Sequence, residues 1–303
     1  METCKDLAKV HHPITNIFQL EGGDDEYKLS EELVEEFWKK GFIANIPILT
    51  DVQCDLLLRD CHALQELEAE DPRMSLMYEY HKNQSGDDSN VLFHTLGQWR
   101  VFETFHDIIF NRKITVPSSQ LLTEGKRRSV RWWHDQLFAK PAHHGGVVAW
   151  HQDYSYWTRT QPMAHLTVHI ALDDQTLTNG ALHYIPESHK WTRNGGKPLP
   201  VTDFDFKDME SIKTIFSEDE LAGFHPIPVL LKKGEASFHH PLSVHGSYGN
   251  RSEHPRRATV LNFFADGVKS AIDGDLIGGA HVPKGSVMEG DFFPLVYRSL
   301  EKQ

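Results

Sequence analysis

Ala149-Trp150-His151-Gln152-Asp153-Tyr154 is the stretch on which the reading of this chain turns. An apolar run there ends in a bulky aromatic and passes straight into a His-x-Asp pair. That is the pattern of a strand end where ligands from a rigid sheet converge. Farther along, Val244-His245-Gly246-Ser247-Tyr248-Gly249-Asn250 supplies a second His beside small residues that let backbone approach a ligand closely. Two His and one carboxylate form a facial triad that holds Fe(II) on one face and leaves the other open. With 20 His in the chain, His151-x-Asp153 alone is a weak signal. The separation of 92 positions from Asp153 to His245 strengthens it, because it suits ligands from opposite ends of one barrel.

Pro255-Arg256-Arg257 comes next, with Arg256 eleven residues beyond His245. That distance lets the chain turn and return on a neighbouring strand. Arg256 would then present its planar fork to a carboxylate near the same end. Arg257 alternates to the other face. Ser247 adds a hydroxyl for the same carboxylate. Three protein ligands leave three iron positions, two for the keto and carboxylate oxygens of 2-oxoglutarate and one for O2. Trp150, Tyr154, Tyr156 and Trp157 supply aromatic walls, and the last three are the candidate substrate-facing set. The other His residues read mainly as structural. These are His183 and His189 around Ile185-Pro186, and His239-His240 before Pro241; His143-His144 fall in a Gly-rich turn at the expected pocket mouth.

The bulk properties fit a soluble small-molecule enzyme. The chain has 303 residues, 39% hydrophobic and 24% charged. A net charge of −12 argues against nucleic acid and against an anionic membrane surface. No run of 18 apolar residues is present, so no membrane-spanning helix is expected. Met1-Glu2-Thr3-Cys4-Lys5-Asp6 lacks the apolar core of a secretory signal, and Glu301-Lys302-Gln303 is not a peroxisomal address; a cytoplasmic setting is expected. Cys54 and Cys61, seven apart in a helical pattern, read as a buried helix face. Nothing in the sequence speaks to oligomeric state.

Residues 1–28 are polar and weakly patterned and read as a loose arm. Ser30 caps a helix that Gly41 ends, and Phe42–Ile46 reads as a strand. Thr50 or Asp51 caps a second helix towards Leu67, and Phe102–Phe110 reads as a third. The pattern then changes to period two. Val130–Phe138, Val147–Trp150, His165–Leu172, Ala181–Ile185, Pro226–Leu231, Ala236–Phe238 and Ala258–Phe264 read as strands. Many short strands after a helical section predict a mainly β fold with α, a sandwich or barrel with a helical buttress. Residues 29–303 are taken as one domain: buttress 29–125, core 126–265 and C-terminal extension 266–303. The core carries a polar insertion at 191–225, which reads equally as a lid or as a solvated surface excursion, with a short helix from Ser217.

Together these residues resemble the phytanoyl-CoA dioxygenase family. The match is carried by Lys140-Pro141, Trp150-His151-Gln152-Asp153, Asn179-Gly180-Ala181-Leu182, Ile185-Pro186-Glu187-Ser188-His189, His240-Pro241 leading to His245-Gly246-Ser247, Asn250 and Arg256. The resemblance implies a double-stranded β-helix, a jelly-roll relative of the cupins. It implies iron at His151, Asp153 and His245, and the 2-oxoglutarate carboxylate on Arg256 with Ser247 nearby. It puts Gln136 facing the cosubstrate and Lys140 on the substrate side. His169 falls where relatives often carry Trp. The reaction implied is oxidation of a C–H bond of a small organic substrate, hydroxylation above all, with succinate and CO2 as co-products. Asp153 favours it over halogenation, which needs that position free. A metal-dependent cupin-type enzyme without redox chemistry and a non-catalytic binder on the same scaffold are the alternatives.

Overall fold

The computed structural model describes residues 4–89, 91–143, 146–201 and 209–300. His144, residues 202–208 of the insertion and Glu301–Gln303 therefore lie outside the described residues. The first helix, α1 (Glu31–Lys40), starts where the Ser30 hydroxyl accepts from Leu33 N–H and ends at Gly41 in the left-handed region. A β-carbon at Gly41 would sit 2.5 Å from both His189 and Ser243, so only Gly fits. After β1 (Phe42–Pro47), Thr50 and Gln53 form a capping box for α2 (Asp51–Gln65). Cys54 and Cys61 lie on its buried face, as expected from their spacing.

A hairpin absent from the sequence reading follows: β2 (Glu79–His81) and β3 (Phe93–Leu96). The expected third helix splits into α3 (Glu103–Asp107) and a 3-10 turn, Ile108–Phe110. A further helix, α4 (Arg112–Leu121), forms despite Pro117 because tertiary packing buries most of it. The remaining strands are β4 (Val130–Lys140), β5 (Val148–His151), β6 (Thr160–Gln161), β7 (His165–Ala171), β8 (Leu182–Tyr184), β9 (Ile227–Pro228), β10 (Glu235–His239), β11 (His245–Ser247), β12 (Arg256–Ala265), β13 (Lys269–Ser270) and β14 (Leu295–Tyr297). A short helix, α5 (Glu218–Ala222), capped by Ser217, lies between β8 and β9.

The larger sheet has the order β1-β10-β7-β12-β4-β3-β2, with β14 also on β4. The smaller sheet is β5-β11-β8-β9. Its strands match the sequence reading except β11, which is only three residues long, and β9, where two of the expected six residues pair. The two antiparallel sheets make the double-stranded β-helix that the sequence implied. The main apolar cluster fills the space between the larger sheet and the helices, with Phe37, Leu57, Phe105, Val168, Leu261 and Phe263 among its members.

The N-terminal segment is not the loose arm expected from its composition. Leu7 and Ala8 are buried and Asp6 pairs with Arg100. The Asp107 carboxylate accepts from Ile14 N–H, Thr15 N–H and the Thr15 hydroxyl. Those bonds and His106 outweigh burial and hold Asp107 below the usual carboxylate range. The insertion also departs from the lid reading. Its Leu199, Met209, Ile212 and Phe216 pack with Trp150, Ile185 and Val244 on the smaller sheet. Asp107→Ala, which strands these donors, is expected to cost about 1–3 kcal/mol in chemical denaturation and to speed proteolysis between residues 10 and 20.

Candidate metal centre and its two cavities

His151 and His245 are cross-strand partners in the β5–β11 pair. Each is fixed in the same way. His151 Nδ1 lies 2.8 Å from the Ala149 carbonyl and His245 Nδ1 lies 3.0 Å from the Ser243 carbonyl. A carbonyl only accepts, so each Nδ1 carries a proton, and in the neutral ring that tautomer leaves the lone pair on Nε2. Those lone pairs face one carboxylate oxygen. Asp153 Oδ1 lies 3.3 Å from His151 Nε2 and 3.6 Å from His245 Nε2.

Asp153 stands at the start of the turn after β5, two residues from His151, so both project inward while Gln152 points away. Gln152 uses that direction to donate to the Trp191 and Leu242 carbonyls and accept from Leu199 N–H. It thereby fastens the insertion behind the site. The other Asp153 oxygen, Oδ2, is held from the larger sheet. It accepts from the Thr167 hydroxyl at 2.6 Å and from His239 Nε2 at 3.0 Å. Thr167 and His239 are themselves cross-strand partners. Tyr184 hydroxyl lies 2.9 Å from both His239 Nδ1 and the Ser237 hydroxyl, extending the network.

Burial alone would raise Asp153, but His245, His151 and His239 hold it well below the usual carboxylate range. Burial, with His151 beside it, pushes His245 well below the usual imidazole range. An anionic carboxylate and neutral imidazole are the states a metal requires of such ligands. The donor set, with ligand atoms within 4.8 Å of one another, fits a divalent first-row ion such as Fe(II). Glu79, His81 and His94 bring ligand atoms as close. Their two imidazoles, however, stack with planes 7° apart, so the lone pairs do not converge.

A narrow recess leads from this centre between the sheets, lined by Gln136, His169, Ser247 and Arg256 together with the three ligands. All four residues expected to meet a cosubstrate are therefore brought together. Arg256 is 2% exposed and donates through Nε and Nη2 to the Gly180 carbonyl. Nη1 has no partner among the described residues. Burial, opposed by Asp173, lowers Arg256 to about 10, which leaves it charged at neutral pH. Gly180 holds φ +82°, and a β-carbon there would meet the Tyr248 carbonyl at 2.5 Å. His169 contacts the Gln175 amide, and burial keeps it well below the usual imidazole range. Arg257 points the other way and pairs with Asp173, as alternation predicts.

A larger cavity of about 540 Å³ opens on the same centre. Tyr156 and Trp157 line it as expected. Tyr154 does not. It is 8% exposed, packs in the main core and donates its hydroxyl to the Thr160 carbonyl. Lys140 lies outside this cavity, buried with its ammonium beneath Ser247 and Tyr248. The walls that sequence reasoning missed come from the β2–β3 hairpin (Tyr78, Glu79, His94, Leu96), from Trp133 and His134 on β4, and from Leu276-Ile277-Gly278. His239 and Thr167 were missed as well; His239 looked like one of a structural His pair. Removing partners that orient a metal ligand typically costs about 10–100-fold in affinity. His239→Leu and Thr167→Val are each expected to weaken binding in a Co(II) or anaerobic Fe(II) titration by that order.

A sequence profile described as Phytanoyl-CoA dioxygenase (PhyH) matches residues 37–258. Phytanoyl-CoA dioxygenase domain-containing protein 1 of Mus musculus is 30% identical over 166 residues, 52% of this chain and 53% of that protein. L-proline trans-4-hydroxylase of Streptomyces griseoviridis is 29% identical over 135 residues, 41% of this chain and 50% of that protein. The chain spans about half the length of the curated relatives it matches, from 41% to 62% of the first three. Among solved structures, the alpha ketoglutarate dependent carbocyclase SnoK from nogalamycin biosynthesis has a TM-score of 0.68 at 18% identity, covering 90% of this chain and 99% of its own. EctD from S. alaskensis with 2-oxoglutarate and 5-hydroxyectoine has a TM-score of 0.60 at 20% identity, covering 84% and 82%. At those identities the structures bear on the fold alone. With the profile covering most of its length, the chain belongs to the phytanoyl-CoA dioxygenase family.

Proposed function

We propose that this protein is an Fe(II)- and 2-oxoglutarate-dependent dioxygenase that hydroxylates a C–H bond of a small organic molecule. The observation that carries the reading is one recess holding both a facial His-Asp-His set and a buried Arg256 with an unused donor face. A metal-binding cupin without a keto-acid cosubstrate has no use for that second feature. Bound at the triad, iron with 2-oxoglutarate and O2 supplies the oxidation, with succinate and CO2 as co-products.

The chain supplies positions, charges and walls. His151 and His245 offer Nε2, and Asp153 offers Oδ1 while Thr167 and His239 keep Oδ2 occupied. Arg256 takes the distal carboxylate of the cosubstrate with Ser247 beside it, and Gln136 and His169 flank the recess. Tyr156, Trp157, Trp133 and His134 wall the substrate cavity. Its volume of about 540 Å³ suits a drug-sized molecule. The mouth carries Glu79 and Arg159, a mixed charge that suits a substrate with polar groups.

No helix among the described residues is long and apolar enough to cross a membrane. Three free cysteines, two of them buried, suit a reducing compartment, and we place the protein in the cytoplasm. Anaerobic addition of Fe(II) and 2-oxoglutarate to wild type is expected to give the visible charge-transfer band of the chelate. His151→Ala abolishes it, and Arg256→Ala raises the 2-oxoglutarate needed by about 10–100-fold, the weight of a lost charge-assisted contact. Metal binding without a band at saturating 2-oxoglutarate would sink the cosubstrate assignment and favour a non-redox cupin.

A further inference from the structure

Lys140 and Arg256 are directly opposed on β4 and β12, so both side chains leave the same face of the larger sheet. They are 0% and 2% exposed. Like charges opposed across strands repel, and buried charge without a counter-ion is costly. Among the described residues neither forms a salt bridge. Asp173, the acid whose charge acts on Arg256, is taken by Arg257. The arrangement therefore sets two buried basic side chains beside a recess, with no salt-bridge partner for either among the described residues.

The hydrogen bonds of Lys140 say what the second cation does. Its three hydrogens meet three oxygens: Ser247 Oγ at 2.7 Å, Tyr248 O at 2.6 Å and Ser247 O at 3.3 Å. The two carbonyls can only accept. The Ser247 hydroxyl has one hydrogen and two acceptor sites. With an ammonium in one acceptor site, its own hydrogen must be given elsewhere, and it finds no acceptor among the described residues. Ser247 lines the recess beside Arg256. Burial and the neighbouring Arg256 push Lys140 well below the usual ammonium range. An anion in the recess would offset both effects and hold the ammonium form.

We propose that Lys140 is a positioning residue. Its ammonium fixes Ser247 as a donor aimed at the carboxylate that Arg256 grips, and its charge makes the recess select a dicarboxylate keto acid over a monocarboxylate one. The inference rests on the cosubstrate reading above, and it moves Lys140 from the substrate side to the anion seat.

The test is a double-mutant cycle of Lys140→Met and Ser247→Ala. Affinities for 2-oxoglutarate and for 2-oxobutyrate, which lacks the distal carboxylate, are read from the Fe(II) charge-transfer band. Lys140→Met is expected to weaken 2-oxoglutarate about 10–100-fold and to leave 2-oxobutyrate and Fe(II) affinity within about threefold. In the Ser247→Ala background the same substitution has a much smaller effect, because the two act as one unit. Lys140→Gln keeps an amide donor for the carbonyls and removes the charge; it is read in the same way if the Met variant does not fold. Parallel loss of both keto acids, independent effects in the cycle, or unchanged 2-oxoglutarate affinity overturns the proposal while the cosubstrate reading stands. A wild type without any band overturns both, so the two failures are distinct.

Discussion

The Asp153 carboxylate is the constraint on which the site depends. Its two oxygens answer to two different sheets. Oδ2 is held by Thr167 and His239, a registered pair on the larger sheet, and Oδ1 faces His151 and His245, a registered pair on the smaller one. A one-residue slip in either register would turn a member of each pair to the opposite face. The ligand geometry thus inherits its precision from backbone pairing rather than from the loops around it. Burying a carboxylate is unfavourable unless it is well bonded, and here a hydroxyl and three imidazoles surround it. The resulting corner is negative and already ordered before a cation arrives.

The opposite corner of the recess has the reverse polarity. Arg256 and Lys140 end neighbouring strands, and the Gly180 carbonyl turns the guanidinium into place. Gly180 can do this because its left-handed backbone leaves room against Tyr248. A net charge of −12 for the whole chain gives no hint of this local field. Between the corners lie the neutral His169 and the amide of Gln136. A molecule with a metal-binding end and an anionic end is complementary to that gradient, and one lacking either end leaves a buried group unpaired, which is costly.

Much of this was legible in the sequence because the relevant signals are local. His151, Asp153 and His245 stand in short motifs at strand ends, and Arg256 follows from spacing alone. Period-two alternation located most of the core strands, although β9 and β11 are too short for alternation to define them. What was missed lacks a local signal. The β2–β3 hairpin encloses a long polar turn, and its cavity-facing side chains mix polar and apolar residues, Glu79 and His94 with Leu92 and Leu96, so no alternation marks it. Pro117 disguised α4, which packing holds together. The N-terminal segment is tied by backbone donors to Asp107, more than ninety residues away. His239 and Lys140 were visible as residues, but their direction was not. Tyr154 was read as a cavity wall because its neighbours are, yet the turn after β5 sends its ring into the core.

The same geometry separates what handles the metal from what meets the rest of the large cavity. His151, His245, Ser247, Lys140 and Arg256 lie on paired strands, with Asp153 in the turn that leaves β5, where a substitution disturbs register or leaves a buried polar group without its partner. The outer walls come from segments remote in the chain: Tyr78 and Glu79 before β3, Trp157 and Arg159 after β5, and Leu276-Ile277-Gly278 beyond β13. Gly278 lies so close to Tyr78 that a β-carbon would overlap the ring at 2.2 Å, which joins the N-terminal hairpin to the C-terminal extension at the cavity edge. The insertion between β8 and β9 was the obvious candidate for a lid, but its described residues pack behind Trp150 and are pinned by Gln152. It braces the ligand strand from outside. The edge of the cavity is therefore built where the hairpin meets the C-terminal extension, in segments separate from the β5–β11 pair that carries His151 and His245.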